Sequence, residues 1–269
     1  MAIYDCFQYF NEETVLDLRF NILNENVDFF VITESTVDHQ GNSKSLNFDL
    51  KNFKKFQNKI IHIIVDDIQN EIKKPHEGQN SLVERNQRNS IMKGLKKCGD
   101  NDLIIISDVD EIPDLNKLNL LDTKSRYAVF CQKKFDYKLN LLNETEGDWF
   151  GSKICLKKNL RSPQWLRNLK FKKYPFWRVD KPKNIQIIQN GGWHFAYLQT
   201  AENISKKIRS FAHGEFNKEH FVNEEKIKDR IEKGEDIFQR GFKIKKINID
   251  DTFPDYIQKN QNMLKNWIV

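Results

Sequence analysis

The feature that most constrains the fold is an apolar run, Leu103 to Ile106, that ends directly in a group of carboxylates. The run has no polar residue at alternate positions, so we expect a strand that is buried on both faces of its sheet. It is followed by Ser107-Asp108-Val109-Asp110-Glu111-Ile112-Pro113. Open α/β sheets bind ligands beyond the carboxyl ends of such strands. The sequence therefore predicts an α/β protein with a ligand site at this end of the strand.

Short apolar runs and stretches of helical period alternate on both sides of this strand. In the first half, strands are predicted over 3–10, 27–33 and 59–65, with helices between Asn11 and Leu23 and over 84–97, the second ended by Gly99. In the second half, strands are predicted over 127–135, 151–156 and 185–189, with helices over 202–211 and 224–240, the last interrupted by Gly234. The stretch 68–81 is predicted to be a mobile loop. This alternation favours a mixed, mainly parallel sheet flanked by helices.

Composition excludes several classes of protein. Apolar residues make up 39% of the 269 positions and the mean hydropathy is -0.69, which is typical of a folded, well-solvated chain and not of a disordered one. No run approaches the roughly 18 apolar residues that cross a bilayer, and acids interrupt the first twenty residues where a signal peptide would need an apolar stretch. We therefore expect a soluble, cytoplasmic protein.

The net charge of +6 is interspersed with acids, which favours a solvated surface over a nucleic-acid interface. The same positive balance would attract a substrate that carries a diphosphate. The four cysteines lie far apart and lack the short spacing of zinc sites. We expect neither nucleic acid nor a cysteine-bound metal, and the sequence leaves the oligomeric state open.

The carboxylates after the apolar run suggest a site for a divalent cation. Oxygen ligands are those that Mg²⁺ and Mn²⁺ select, and alternate residues of an extended segment point the same way. Asp108 and Asp110 are therefore predicted to converge on one ion, which could neutralise a diphosphate. The alternative is that the two acids simply begin a turn before Ile112-Pro113.

Several motifs in a fixed order carry a resemblance to a known family. They are Asp5-Cys6-Phe7, Phe10-Asn11-Glu12, Leu16-Asp17-Leu18-Arg19, Val27-Asp28-Phe29-Phe30-Val31, Glu34-Ser35, Ser107 to Pro113 and Gly192-Trp193-His194. As far as about Gly241 the chain resembles glycosyltransferase family 17, whose best-known members are β-1,4-mannosyl-glycoprotein β-1,4-N-acetylglucosaminyltransferases. The resemblance implies a GT-A-like (Rossmann-like) fold, an inverting transfer, a UDP-sugar donor with UDP-N-acetylglucosamine as first choice, a glycan acceptor, and Mn²⁺ or Mg²⁺. We expect one domain over 1–269, in which 1–113 binds the nucleotide sugar and 114–269 shapes the acceptor site.

The resemblance also assigns site residues. Asp108 and Asp110 match the metal and diphosphate motif with Glu111 in support, Glu12 and Glu34 fall where such folds contact the nucleoside, and Arg88 matches a basic residue near the donor phosphates. His194 resembles the histidine that completes metal or diphosphate binding, and His213 is a second candidate for this role. The paired glycines before His194 permit close backbone approach to a ligand. Trp193, like Trp149, could form an apolar wall for a sugar ring.

An inverting transfer needs a general base, and a carboxylate is the usual choice. Glu215 and Asp148 are the candidates, since each lies beside aromatic residues and a glycine in the half that should bind the acceptor. Two other functions stay open on the residues alone. One is a Mg²⁺-dependent phosphatase of the haloacid dehalogenase type, which also places Asp-X-Asp after an apolar strand, and the other is a non-catalytic sugar-binding protein.

Overall fold

Strands and helices alternate through the first half of the chain and separate in the second. A computed structural model describes residues 1–38, 41–67, 82–120, 125–170, 177, 182, 184–210 and 219–269. The strands are β1 (Ile3–Gln8), β2 (Phe29–Ser35), β3 (Ile60–Val65), β4 (Leu103–Asp108), β5 (Glu111–Pro113), β6 (Tyr127–Asp136), β7 (Leu141–Asn143), β8 (Asp148–Leu156), β9 (Gln186–Ile188), β10 (Gly192–Ala196) and β11 (Ile244–Lys246). The helices are α1 (Glu13–Leu23), α2 (Leu82–Asn89), α3 (Ile91–Gly94), α4 (Pro163–Arg167), α5 (Ala201–Ser210), α6 (Glu219–Val222), α7 (Glu224–Lys233) and α8 (Asp255–Lys259), with short 3₁₀ helices at Leu50–Phe56, Leu115–Leu120, Lys157–Asn159 and Lys265–Trp267.

These strands form one mixed sheet, as the sequence predicts. Its main path runs β11-β7-β6-β8-β4-β1-β2-β3, and β9, β10 and β5 join it beside β6. The four strands of the first half are parallel to one another. Beyond them β8 is antiparallel to both β4 and β6, while β9 and β10 are parallel to β6. The parallel part therefore delivers the carboxyl ends of β1, β2 and β4 to one edge.

The core lies on both faces of the sheet, which explains why β4 has no polar alternation. Ile105 packs in the cluster under α1, together with the ring of Phe20. Ile104 and Ile106 pack in the opposite cluster under α3 and α4. Burying side chains of this size stabilises the fold by about 1.5–3 kcal/mol each. The prediction of a central, doubly buried strand is confirmed, and it gives the residues after Ile106 a rigid support.

The predicted helix over 84–97 is divided, which corrects its length. Helix α2 ends at Asn89, α3 begins at Ile91, and the helical part stops at Gly94 and not at Gly99. A Cβ atom at Gly94 would lie 2.5 Å from a methyl group of Val31, so this end of the helix rests directly on β2. Close packing against the sheet, which the sequence pattern does not display, sets the end of the helix.

The predicted helix over 224–240 is also shorter, because α7 ends where Gly234 takes a left-handed conformation with φ 67°. Glycine adopts this conformation without steric cost and commonly terminates helices. Helices α5, α6 and α7 pack around Tyr137 in a third apolar cluster. Among the helices that the structure describes, none has the length and apolar character needed to cross a membrane.

Candidate active site

A tight turn after β4 builds the centre of the site. Asp108 is the last residue of β4, Val109 and Asp110 form the turn, and Glu111 begins β5. Strand β5 is antiparallel to β10, which places His194 opposite Glu111. The backbone N–H of Phe195 donates to the carbonyl of Asp110 at 2.9 Å. The turn thereby brings the acidic segment against a histidine more than eighty positions later in the chain.

Asp108 lies between two arginines. Its Oδ1 is 2.9 Å from Arg88 Nη2, and its Oδ2 is 2.7 Å from Arg167 Nη2. Burial alone would raise the pKa of Asp108, but the charges of Arg167 and Arg88 hold that pKa well below its usual value. Asp108 is therefore ionised throughout the neutral range, and its charge is already neutralised by two permanent cations.

Asp110 has a different partner, because its Oδ2 lies 3.5 Å from His194 Nε2. Burial would raise the pKa of Asp110, but the neighbouring His194 lowers it below its ordinary value. Burial would conversely lower the pKa of His194, and Asp110 raises it above 6.5. The imidazole packs on the Trp149 ring at 4.6 Å between centroids, and its buried Nδ1 has no hydrogen-bond partner within the described part of the chain.

The two acids do not point the same way, which corrects the argument from an extended segment. Since Val109 and Asp110 form a turn, Asp108 faces the arginines and Asp110 faces His194. Across the described ranges, no group of three or more histidine, cysteine, aspartate or glutamate side chains is arranged to hold a metal ion. Asp110 and His194 do fit one, because adjacent ligands at about 2.1 Å from a small cation lie roughly 3 Å apart.

The Glu111 side chain stabilises the turn that carries the two acids. Its side chain is fully buried, with Oε2 accepting the backbone N–H of Asp108 at 2.9 Å and Oε1 accepting Trp149 Nε1 at 2.7 Å. Oε1 also lies 3.1 Å from Arg167 Nη2. A Cβ atom at Gly151 would sit 2.7 Å from the Glu111 Cδ, so only glycine leaves room for this carboxylate. Glu111 therefore fixes the turn, the arginine and the indole together, in agreement with its expected supporting role.

A lysine reaches the site from helix α5. Lys207 Nζ lies 2.8 Å from Glu12 Oε1. Burial would lower the pKa of Lys207, but Glu12 and Asp110 raise it above its ordinary value. The other oxygen of Glu12 accepts the backbone N–H groups of Phe10 and Asn11 at 3.2 and 3.1 Å. Glu12 is thus engaged by Lys207 and by the backbone of the loop after β1, and its contact with a nucleoside stays a prediction.

Glu34 is likewise engaged within the protein. Its fully buried carboxylate accepts the backbone N–H of Asn47 at 2.5 Å and that of Phe48 at 3.2 Å. Lys44 Nζ lies 3.2 Å and His62 Nε2 3.4 Å from its two oxygens. Glu34 therefore anchors the segment after β2, and its contact with the nucleoside likewise stays a prediction.

Comparison with known proteins identifies the family. The sequence model of glycosyltransferase family 17 matches residues 1–146, which is more than half of the 269-residue chain. The chain belongs to this family. No curated protein matches the sequence at a significant level. Family membership decides for a glycosyltransferase over the phosphatase alternative, and with the strand order it confirms the GT-A-like fold class.

Solved structures resemble the chain only distantly. HddC from Yersinia pseudotuberculosis is 12% identical over 70% of this chain and 89% of its own, with a TM-score of 0.34. The galactosyltransferase LgtC, in complex with donor and acceptor sugar analogues, is 12% identical over 59% of each chain, with a TM-score of 0.31. The cytidylyltransferase IspD of Francisella tularensis is 9% identical over 59% of this chain and 74% of its own, with a TM-score of 0.29. These scores are too low to support an argument about function.

Two expected residues of this family 17 enzyme lie on the other face of the sheet. Trp193 and His194 are consecutive in β10, so their side chains point to opposite faces. Trp193 donates its indole N–H to the carbonyl of Thr252 at 3.0 Å and lines a separate cavity of about 930 Å³. Asp148 is exposed and lies opposite Lys133 of β6 in the strand register, so these two side chains point to the same face. Asp148 directly precedes Trp149 in β8, so their side chains point to opposite faces. Trp193 and Asp148 thus lie on the face opposite His194 and Trp149, and their roles as a wall for a sugar ring and as the general base stay predictions.

The paired glycines before His194 serve packing between strands. Gly192 has φ 133°, and a Cβ atom there would lie 2.2 Å from the carbonyl oxygen of Ile112. A Cβ atom at Gly191 would lie 2.7 Å from the carbonyl oxygen of Ile188. The close backbone approach that the sequence indicates is thus an approach to β5 and to the end of β9, not to a ligand. His213, Glu215 and the stretch 68–81 lie outside the described residues.

The candidate site contains residues that the sequence patterns did not indicate. Arg167 ends helix α4, which begins with Ser162 as its N-cap and Pro163 in the first turn. This Ser-Pro start is a recognisable helix signal and could have revealed the helix. Arg167 lies 59 positions after Asp108 in the chain, so no local pattern in the sequence indicates their ion pair. The same holds for Lys207, whose partner Glu12 is 195 positions away.

Proposed function

We propose that this enzyme transfers a sugar, with N-acetylglucosamine from UDP-N-acetylglucosamine as first choice, to a hydroxyl of a glycan or glycoside. The transfer inverts the anomeric carbon and depends on Mn²⁺ or Mg²⁺. One observation carries the proposal. In a chain of glycosyltransferase family 17, the turn after β4 joins an aspartate that faces a histidine to an aspartate that faces two arginines. Such a site has groups for a cation and groups for the diphosphate that the cation accompanies.

Asp110 and His194 are the residues that would hold the cation. Asp110 offers an anionic oxygen and His194 an imidazole nitrogen, which are ligand types that Mn²⁺ accepts. Asp108 would join them once other anions take over its arginines, and His213 stays a further candidate from the sequence. The cation would supply positive charge next to the leaving diphosphate.

Arg88 and Arg167 would bind the diphosphate. Guanidinium groups match phosphate oxygens through paired hydrogen bonds and keep their charge when buried. Support comes from two buried donors, Arg88 Nε and Gln164 Nε2, which have no acceptor among the described residues. Lys153 adds a further cation beside them, and burial together with the Arg167 charge lowers its pKa to about 8. An anion at this position would satisfy the two free donors and could compete with Asp108 for the arginines.

A base must take the proton of the attacking hydroxyl, and Glu215 and Asp148 are the candidates from the sequence. Glu215 is favoured because the exposed Asp148 points away from the face of Trp149 and His194. The two halves of the chain would contribute different parts of the site. Residues 1–113 would supply the acidic turn and Arg88 to the donor. Residues 114–269 would supply the acceptor site together with Arg167, His194 and Lys207.

A ligand screen with a matched pair of variants tests the function. UDP- and GDP-sugars are added with Mn²⁺ or with EDTA, and the melting temperature and the release of nucleoside diphosphate are measured. One UDP-sugar is expected to raise the melting temperature only with the metal, because a ligand that binds the folded state alone stabilises it. Asp110→Asn should abolish both effects, whereas Asp251→Asn, an exposed acid beside the separate cavity, should retain them. Equal turnover in EDTA and in Mn²⁺ would contradict the proposal.

A further inference from the structure

We propose that Arg19, on helix α1, is a positioning residue that sets the conformation of the acidic turn from Ser107 to Glu111. This inference rests on the proposed function, because it concerns how the site is held in shape. Arg19 is fully buried and has no part in the ligand contacts suggested above. Its guanidinium group reaches from α1 across the end of β1 to the end of β4. It therefore connects the rigid parallel sheet to the turn that carries the two acids.

The hydrogen bonds of Arg19 divide into two sets. Toward the sheet, Nε and Nη2 donate to the two carboxylate oxygens of Asp5 at 2.7 and 2.6 Å. Toward the turn, Nη2 donates to Ser107 Oγ at 2.5 Å. Nη1 faces three backbone carbonyls of the turn, those of Asp108 and Val109 at 3.1 Å each and that of Glu111 at 2.7 Å. Every nitrogen of the guanidinium group is thus engaged, and four of its six acceptors belong to the turn.

This arrangement holds the backbone from which the two acids project. Arg19 approaches the turn from the face of the sheet that α1 covers, and it draws the carbonyl groups of the turn toward that face. Asp108 shares its side of β4 with Ile104 and Ile106, so its carboxylate leaves on the opposite face, where Arg88 and Arg167 lie. A turn without this anchor could reverse, which would separate the two acids from their cationic partners.

Only a planar guanidinium group can make this set of hydrogen bonds. The bidentate pair with Asp5 fixes the plane of the guanidinium group, and the Phe7 ring lies 4.6 Å beneath it. A lysine would keep the charge but offers three donors on one nitrogen, which cannot reach Asp5, Ser107 and three carbonyls at once. The inference also accounts for two of the quoted motifs, Asp5-Cys6-Phe7 and Leu16-Asp17-Leu18-Arg19, which the ligand contacts alone leave unexplained.

The test compares three variants that keep α1 in place. Arg19→Lys loses the fork, Ser107→Ala loses only one contact between Arg19 and the turn, and Leu23→Ala destabilises α1 through a cavity without touching the turn. Hydrogen exchange of the backbone amides from Asp108 to Ile112 is measured on each folded protein. The affinity for Mn²⁺ in the presence of UDP is measured on the same samples by electron paramagnetic resonance of the free ion.

Arg19→Lys is expected to exchange these amides faster and to bind Mn²⁺ about 10–100-fold more weakly, as when a residue that orients metal ligands is replaced. Ser107→Ala should show the same changes to a smaller extent, and Leu23→Ala should show neither. Wild-type exchange and affinity in a folded Arg19→Lys would overturn the inference. If that variant does not fold, the same result in Ser107→Ala would overturn it. A wild-type protein that binds no Mn²⁺ would instead refute the proposed function, while the exchange rates would still test Arg19.

Discussion

Two acids of one turn face different kinds of cation. Asp108 faces Arg88 and Arg167, whose charges do not change at any physiological pH. Asp110 faces His194, an imidazole whose charge depends on its protonation. The Asp108 carboxylate is therefore saturated by permanent cations, whereas the partner of Asp110 can become a neutral ligand.

The difference teaches that sequence spacing does not fix the role of an acid. Identical side chains two positions apart would be interchangeable in an extended segment, but a turn sends them to different partners. We infer a division of labour, with a cation corner at Asp110 and His194 and a diphosphate corner at Arg88 and Arg167, whose charges Asp108 balances until a diphosphate binds. Variants that act on one corner and spare the other test this division.

The largest effect is expected at the cation corner. Asp110→Asn removes the anionic oxygen beside His194, and kcat/KM should fall by about 1000-fold because charge stabilisation in the transition state is lost. Mn²⁺ affinity should fall with it, while the melting temperature of the metal-free protein should change little. Steady-state kinetics over a series of Mn²⁺ concentrations measures both. Near-normal kcat/KM at saturating Mn²⁺ would show that Asp110 is not part of the site.

The diphosphate corner should respond differently. Arg167→Met removes a cation beside Asp108 and should lower kcat/KM by roughly 100-fold through weaker stabilisation of the leaving group, with Mn²⁺ affinity in the absence of nucleotide retained. Arg161→Met, in the same segment but exposed and packed on Trp165, is the control and should behave as wild type. Equal losses of metal affinity in Arg167→Met and Asp110→Asn would argue against two separate corners.

The support beneath both corners can be tested by adding a single methyl group. Gly151→Ala would place a Cβ atom 2.3 Å from Gln132 Oε1 and 2.7 Å from the Glu111 Cδ. We expect a destabilisation of about 1–3 kcal/mol from overpacking, with a loss of activity of roughly tenfold as Glu111 moves. Gly147→Ala is the matched control, since its Cβ atom would lie 3.6 Å from the carbonyl of Asn143. Urea unfolding and kinetics of both variants decide the matter, and equal stability of the two would count against tight packing around Glu111.

The two corners should also differ in their response to pH. The pKa of His194 is raised, so its ion pair stabilises the metal-free protein fully below the unfolded value near 6.5 and loses this contribution as pH rises through the folded value. The pKa of Asp108 lies well below its usual value, so its contribution stays constant from pH 5.5 to 9. Urea unfolding in EDTA should show the stability difference between wild type and His194→Gln shrinking as pH rises. A difference that stays constant would contradict the raised pKa.

The smallest effect is expected at Asp148. Its exposed carboxylate lies on the other face of the sheet, so Asp148→Asn should change kcat/KM by less than about twofold, as surface substitutions usually do. Glu215→Gln, made in parallel, should lower kcat by about 100-fold or more if this residue is the base. A large loss in Asp148→Asn would mean that the acceptor approaches from the face that bears the separate cavity.

The sequence predicts the first half of the fold well, and for a physical reason. Each of its strands contains a run of apolar residues, so β1 to β4 and α1 follow directly from hydrophobic runs and helical period. Strands β5 and β10 are not predicted because they contain only three and five residues, and the sequence does not display their pairing with each other. The separation of Trp193 from His194 depends on that undetected strand.

The site is predicted in part. Asp108, Asp110, Arg88 and His194 are brought together as expected, since motifs and the position after a buried strand indicate them. Ion pairs across 59 to 195 residues carry no local signal, so Arg167 and Lys207 could not be found, and the buried engagement of Glu12 and Glu34 could not be foreseen.

The most direct test of the division between the corners is a crystal structure of the enzyme with Mn²⁺ and UDP, with anomalous scattering recorded at the manganese edge. The account predicts an anomalous peak within coordination distance of Asp110 and His194, and a diphosphate in contact with Arg88 and Arg167. A manganese peak that lies away from both Asp110 and His194, or a diphosphate that leaves both arginines on Asp108, would contradict it.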